Sequence, residues 1–119
     1  MDLKEQIKSI VDEIRPQFQV LGNYGFNKVG NPGEVVSSFV DVYEGYTKAK
    51  DLYVEKCGER PQRACCDQFA VEEVDESELA AAYSIAKAQG FLPPPLMGRM
   101  FDFTMHMNSF FLAAQEENH

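Results

Sequence analysis

The sequence predicts an all-α fold: a compact four-helix domain, irregular or orthogonal in its packing, formed by residues 1–119 as one unit. Three observations carry this. Leu96, Met97, Met100, Phe101, Met107, Phe110, Phe111 and Leu112 fall on one face when read at about 100° per residue. Leu3, Ile7, Ile10, Val11, Ile14, Phe18 and Leu21 repeat the same period near the other end. Between them, helix-start and helix-stop residues recur in the right order. The helices are expected at residues 2–15, 32–57, 76–89 and 95–115.

In the first helix, Lys4, Glu5, Lys8, Asp12 and Glu13 face away from the apolar stripe. Pro16 has no backbone N–H, so the helix should stop near Arg15, or kink and run one further turn. Residues 22–33 interleave Gly22, Gly25, Gly30 and Gly33 with Asn23, Asn27 and Asn31, which reads as a loop. A glycine-rich loop cradles phosphate when it follows a strand and opens a helix. Here a helix precedes it and no GxGxxG or GK[ST] pattern is present, so it is expected to be a connector.

The second helix has a clear start: Asn31 caps, Pro32 occupies the first turn, and Glu34 closes a capping box. Gly58 is placed for a left-handed C-cap. Its expected inner face is Val35, Val36, Phe39, Val40, Tyr43, Tyr46, Tyr53, Val54 and Cys57. Ser37, Ser38, Asp41, Glu44, Lys48, Asp51, Glu55 and Lys56 form the outer face, together with Gly45. Residues 59–76 are irregular and are expected to form a loop with one helical turn. Asp75 and Glu78 make a second capping box, and Gly90 ends the third helix. Pro93, Pro94 and Pro95 form a stiff spacer into the last helix. There Phe103 and Met105 edge the apolar arc, while Arg99, Asp102 and His106 share the polar side.

Composition narrows the function classes. A net charge of -8, from 19 acidic and 11 basic residues, argues against direct nucleic-acid binding, which needs clustered Lys and Arg. It suits a basic protein partner. No apolar run approaches the roughly 18 residues that span a bilayer, and the first residues lack a signal-peptide pattern, so no membrane role is expected. Three cysteines fit a reducing compartment, and a cytoplasmic location is the expectation.

Chemistry-bearing motifs are weak. Cys57, Cys65 and Cys66 with His106 or His119 offer zinc-type ligands, but a C-x2-C knuckle is lacking and adjacent cysteines rarely reach one metal. Neither metal nor cofactor is expected. Asp102 can orient His106 toward Cys65 or Cys66, yet a helix stripe spaced by three and four residues reads first as local ion pairing.

The expected function is therefore a small acidic, non-catalytic protein-protein interaction module that binds and modulates a protein partner. Its contact surface is expected at Glu72, Glu73, Asp75, Glu76 and Glu78, together with Phe103, Met105 and His106. The alternative is a helical bundle holding a small apolar ligand among Phe39, Tyr43, Tyr46, Met100, Phe101 and Met107. A cysteine- or metal-dependent enzyme ranks third. Homo-oligomerisation through the last helix would also use its wide apolar arc.

Overall fold

Asp2 opens the first helix, its carboxylate accepting the Glu5 backbone N–H at 2.8 Å. The computed structural model describes residues 2–58 and 74–116. Among these it contains five helices and no strand: α1 (Leu3–Asn27), α2 (Pro32–Cys57), α3 (Glu76–Gln89), α4 (Pro94–Gly98) and α5 (Met100–Glu116). The fold is all-α. Glu72, Glu73, Cys65, Cys66 and His119 lie outside the described residues, as does most of the expected loop 59–76.

α1 is longer than the sequence suggests, running 25 residues through Pro16. Pro16 is exposed, so its ring meets solvent and the missing N–H removes one backbone bond without unmaking the helix. Residues 22–27, expected as loop, are helical because tertiary packing outweighs glycine's poor propensity. Leu21 is fully buried, and a Cβ added to Gly25 would sit 3.2 Å from the Phe101 Cα. Glycine at this position lets α1 and α5 approach closely. The helix ends at Lys28, held at φ 55° and ψ 34°, whose N–H donates to the Asn23 and Tyr24 carbonyls.

α2 and α3 match their expected bounds. The Asn31 side chain accepts from the Gly33 and Glu34 N–H groups, and Gly58 closes α2 in the left-handed region. The Asp75 side chain accepts from Ser77 N–H, and Gly90 closes α3. The last apolar stretch is not one helix. Gly98 ends α4, Arg99 turns at φ -85° and ψ 0°, and α5 begins at Met100, so five helices stand where four were expected.

α1 packs along both α2 and α5, and α3 rests on α2. Ile7, Leu21, Val35, Phe39, Val42, Tyr46, Leu79, Met100, Phe103 and Met107 are fully enclosed at the centre. The outer face of α2 departs from expectation at two positions. Ser38 is buried, and Gly45 is buried where an added Cβ would meet the Ile14 methyl groups at 3.1 Å. Val54, expected inside, is exposed. At Gly45 the cause is α1, whose Ile10 and Ile14 pack against that position, so the buried arc of α2 reaches beyond its apolar stripe.

The edge of α5 is also enclosed. Phe103 is buried and stacks on Phe39 with ring centroids 5.7 Å apart, while Met105 is buried with Ala113 beside Phe101 and Leu112. Neither residue forms the open apolar edge expected from helical periodicity. The radius of gyration is 13.9 Å, close to the value of about 13.5 Å for a compact chain of this length. Among the described residues, no helix is long and apolar enough to cross a membrane.

Candidate functional site

Three helices bring Tyr46, Glu76 and His106 to one point. Tyr46 lies on the covered face of α2, fully buried, its ring edge-on to Phe110 at 5.3 Å. Lys50, one turn further on, faces the same way and holds its ammonium 4.9 Å above the Tyr46 ring. Glu76 is the first residue of α3, so the Asp75 cap fixes where its carboxylate starts. His106 comes from α5.

The Tyr46 hydroxyl donates to Glu76 Oε1 at 2.6 Å, and His106 Nε2 lies 2.7 Å from the same oxygen. Lys50 Nζ stands 3.7 Å from Glu76 Oε2. An ionised carboxylate only accepts, so the geometry assigns a proton to His106 Nε2 and leaves Nδ1 as the second ring nitrogen. The 3.3 Å approach of Tyr46 Oη to His106 Nε2 follows from both groups sharing one acceptor. The His106 hydrogen bond, aided by Tyr46 and the Lys50 charge, holds the Glu76 carboxyl down at about 2 against the opposing effect of burial.

Two further polar clusters flank this one. Glu44 Oε2 accepts from the Tyr83 hydroxyl and from Lys87 Nζ, each at 2.6 Å. Lys87 first and Tyr83 second lower the Glu44 pKa, and the same contacts raise that of Lys87. Tyr83 also stacks on Tyr43, centroids 4.4 Å apart, and burial followed by the Glu76 charge raises the Tyr43 phenol. On the other side Arg99 donates from Nε to Glu78 at 2.7 Å and from Nη1 to Asp102 at 2.6 Å. Its guanidinium lies 5.8 Å from the Phe103 ring centroid.

The residues singled out from sequence divide accordingly. Glu76 and His106, expected on one contact surface, meet Tyr46, expected in the alternative ligand pocket. Of the local ion pairs expected along this stripe, Arg99 with Asp102 forms, while the carboxylate beside His106 is Glu76 and not Asp102. Asp75 caps α3 and Glu78 binds Arg99, so the described part of the acidic stretch is engaged within the fold. Phe39, Tyr46, Met100 and Met107 pack within the main core, whereas Phe101 belongs to the smaller cluster with Met105. Cys57 is a free, partly buried thiol packed on the core. Among the described residues, no group of three or more His, Cys, Asp or Glu is placed to hold a metal.

One surface was missed by sequence reasoning. Phe26 is 60% exposed and Val29 is 63% exposed at the end of α1. Phe26 sits edge-on to Phe101, with centroids 4.9 Å apart. The available signal was two large apolar residues inside a Gly/Asn-rich stretch, where a plain connector would carry polar ones.

Chemically, the Tyr46–Glu76–His106 group joins helices: it ties the first turn of α3 to both α2 and α5. No family model, curated protein or solved structure matches this chain.

Proposed function

We propose that this chain is a small, non-catalytic interaction module that binds and modulates a protein partner of net positive charge, docking through the end of α1. The observation that supports it is the exposed Phe26, seated on Phe101 with Val29 two residues beyond its helix end. Exposed apolar side chains grouped on one surface mark contact sites, whereas singly scattered ones do not. Covering a side chain of this kind is worth about 1.5–3 kcal/mol. A net charge of -8 draws a cationic partner and repels an acidic one. Phe103 and Met105 are buried, and Asp75, Glu76 and Glu78 are engaged in a cap and in ion pairs, so the proposed contact moves from that edge to the α1 end.

The test is photo-crosslinking from a reactive residue installed at position 26, with exposed Ser84 of α3 as the comparison site. One basic protein captured from position 26 alone, less efficiently in high salt, supports the proposal. The same adducts from both positions would refute it. An adduct of two copies of this 13.5 kDa chain would replace the heterologous partner with self-association.

A further inference from the structure

We propose that α3 is a cover clamped by polar contacts, which lifts from α2 as a unit while α1, α2 and α5 stay packed. The proposal stands independently of the α1-end contact. Its first support is the imbalance of apolar burial. The buried side chains of α3 are Leu79, Ala82 and Ala86, two of them single methyl groups, with Tyr83 and Ile85 partly buried beside them. α1 buries Leu3, Ile7, Ile10, Ile14 and Leu21. Free energy of burial scales with apolar area, so α3 is held far less firmly by its core face.

The second support is where its remaining attachments lie. Glu76 reaches Tyr46 and Lys50 of α2 and His106 of α5; Glu78 reaches Arg99; Lys87 and Tyr83 reach Glu44. The clamps lie at the solvent boundary, with side-chain exposures of 36% for Glu76, 37% for Glu78 and 59% for Lys87. Ion pairs so placed are individually weak and screened by salt. An element attached this way opens at a lower free energy than the whole fold.

Opening has a defined consequence. It separates the stacked Tyr43 and Tyr83 rings and takes the Glu76 carboxylate away from the Tyr46 hydroxyl. Among the described residues, the groups facing Glu76 include Tyr46, Lys50 and Tyr43 from α2 and His106 from α5. With the Glu76 carboxyl ionised down to about 2, this clamp is broken by ionic strength or mutation, and not by Glu76 taking a proton near neutrality.

Hydrogen exchange of the full chain, read peptide by peptide, tests the proposal. In the unaltered protein, amides within α3 should exchange at least about tenfold faster than those at the centre of α2. Raising salt to about 0.5 M should widen that gap. Glu76→Gln and Glu78→Gln should each speed α3 by about threefold to tenfold, with α3 remaining the faster-exchanging helix in both variants. Equal protection of α3 and α2 in the unaltered protein would overturn the proposal even if a variant failed to fold. So would α3 amides whose exchange in dilute urea rises as steeply as that of central α2, the mark of opening with the whole fold alone.

Discussion

Glu76 and His106, thirty residues apart in the chain, share a 2.7 Å contact that joins the start of α3 to the middle of α5. The fully buried Tyr46 completes it from α2, so one carboxylate oxygen is the meeting point of three helices. Buried and half-buried polar groups of this sort fix relative helix positions as well as adding stability.

The first prediction concerns acid. The folded Glu76 carboxyl sits at about 2, below its ordinary value of 4.5. A depressed carboxyl contributes its stability in full above its unfolded value and loses it as pH falls toward the folded one. Discounted for its exposure, that contribution is about 1–2 kcal/mol. Urea unfolding of the unaltered protein and Glu76→Gln should differ by this amount from pH 8 to about pH 5, the gap closing between pH 4.5 and 2. A gap that stays constant down to pH 2 would assign the stability to another group.

Glycines in α1 separate propensity from packing. An added Cβ at Gly22 meets nothing within 4 Å, so Gly22→Ala should stabilise by about 0.5–1 kcal/mol. At Gly25 the Cβ would stand 3.2 Å from the backbone of Phe101, so Gly25→Ala should destabilise by about 1–3 kcal/mol. Thermal unfolding of the two variants side by side checks the opposite signs.

Lys28 holds φ at 55°, the left-handed region that a side chain disfavours. Lys28→Gly should therefore raise stability by about 0.5–1 kcal/mol, the relieved strain exceeding glycine's entropy cost. The rise is read from the urea midpoint, and a fall would show that the Lys28 ammonium, 5.9 Å from the Tyr24 ring centroid, outweighs the strain.

Pro16 interrupts the backbone ladder of a 25-residue helix from an exposed position. Pro16→Ala restores an N–H donor there and should add about 1–2 kcal/mol, net of the freedom that proline removes from the unfolded chain. Helical circular dichroism should rise slightly with the melting temperature.

Local signals explain what the sequence disclosed. Asn31 with Pro32, Asp75, Gly58 and Gly90 punctuate α2 and α3, because caps and left-handed stops depend on neighbouring residues alone. Pro16, Gly22 and Gly25 misled for the opposite reason. Their local preference is against a helix, and contact of α1 with α2 and α5 overrides it. Helical periodicity placed Phe103 and Met105 at an edge, but only the packing of neighbouring helices decides whether an edge is covered. Likewise Asp102 lay at a plausible spacing from His106, while the real partner, Glu76, arrives through tertiary structure. Phe26 escaped notice because its segment read as a loop.

Binding of the crosslinked partner to purified protein, compared between the unaltered chain and Phe26→Ser at low and high salt, tests the proposed function most directly. The α1-end contact predicts at least about tenfold weaker binding for Phe26→Ser, as expected when a buried aromatic anchor is lost. It also predicts a slower association rate for both proteins as salt rises. Equal affinity of the two proteins, with no salt dependence, would contradict it.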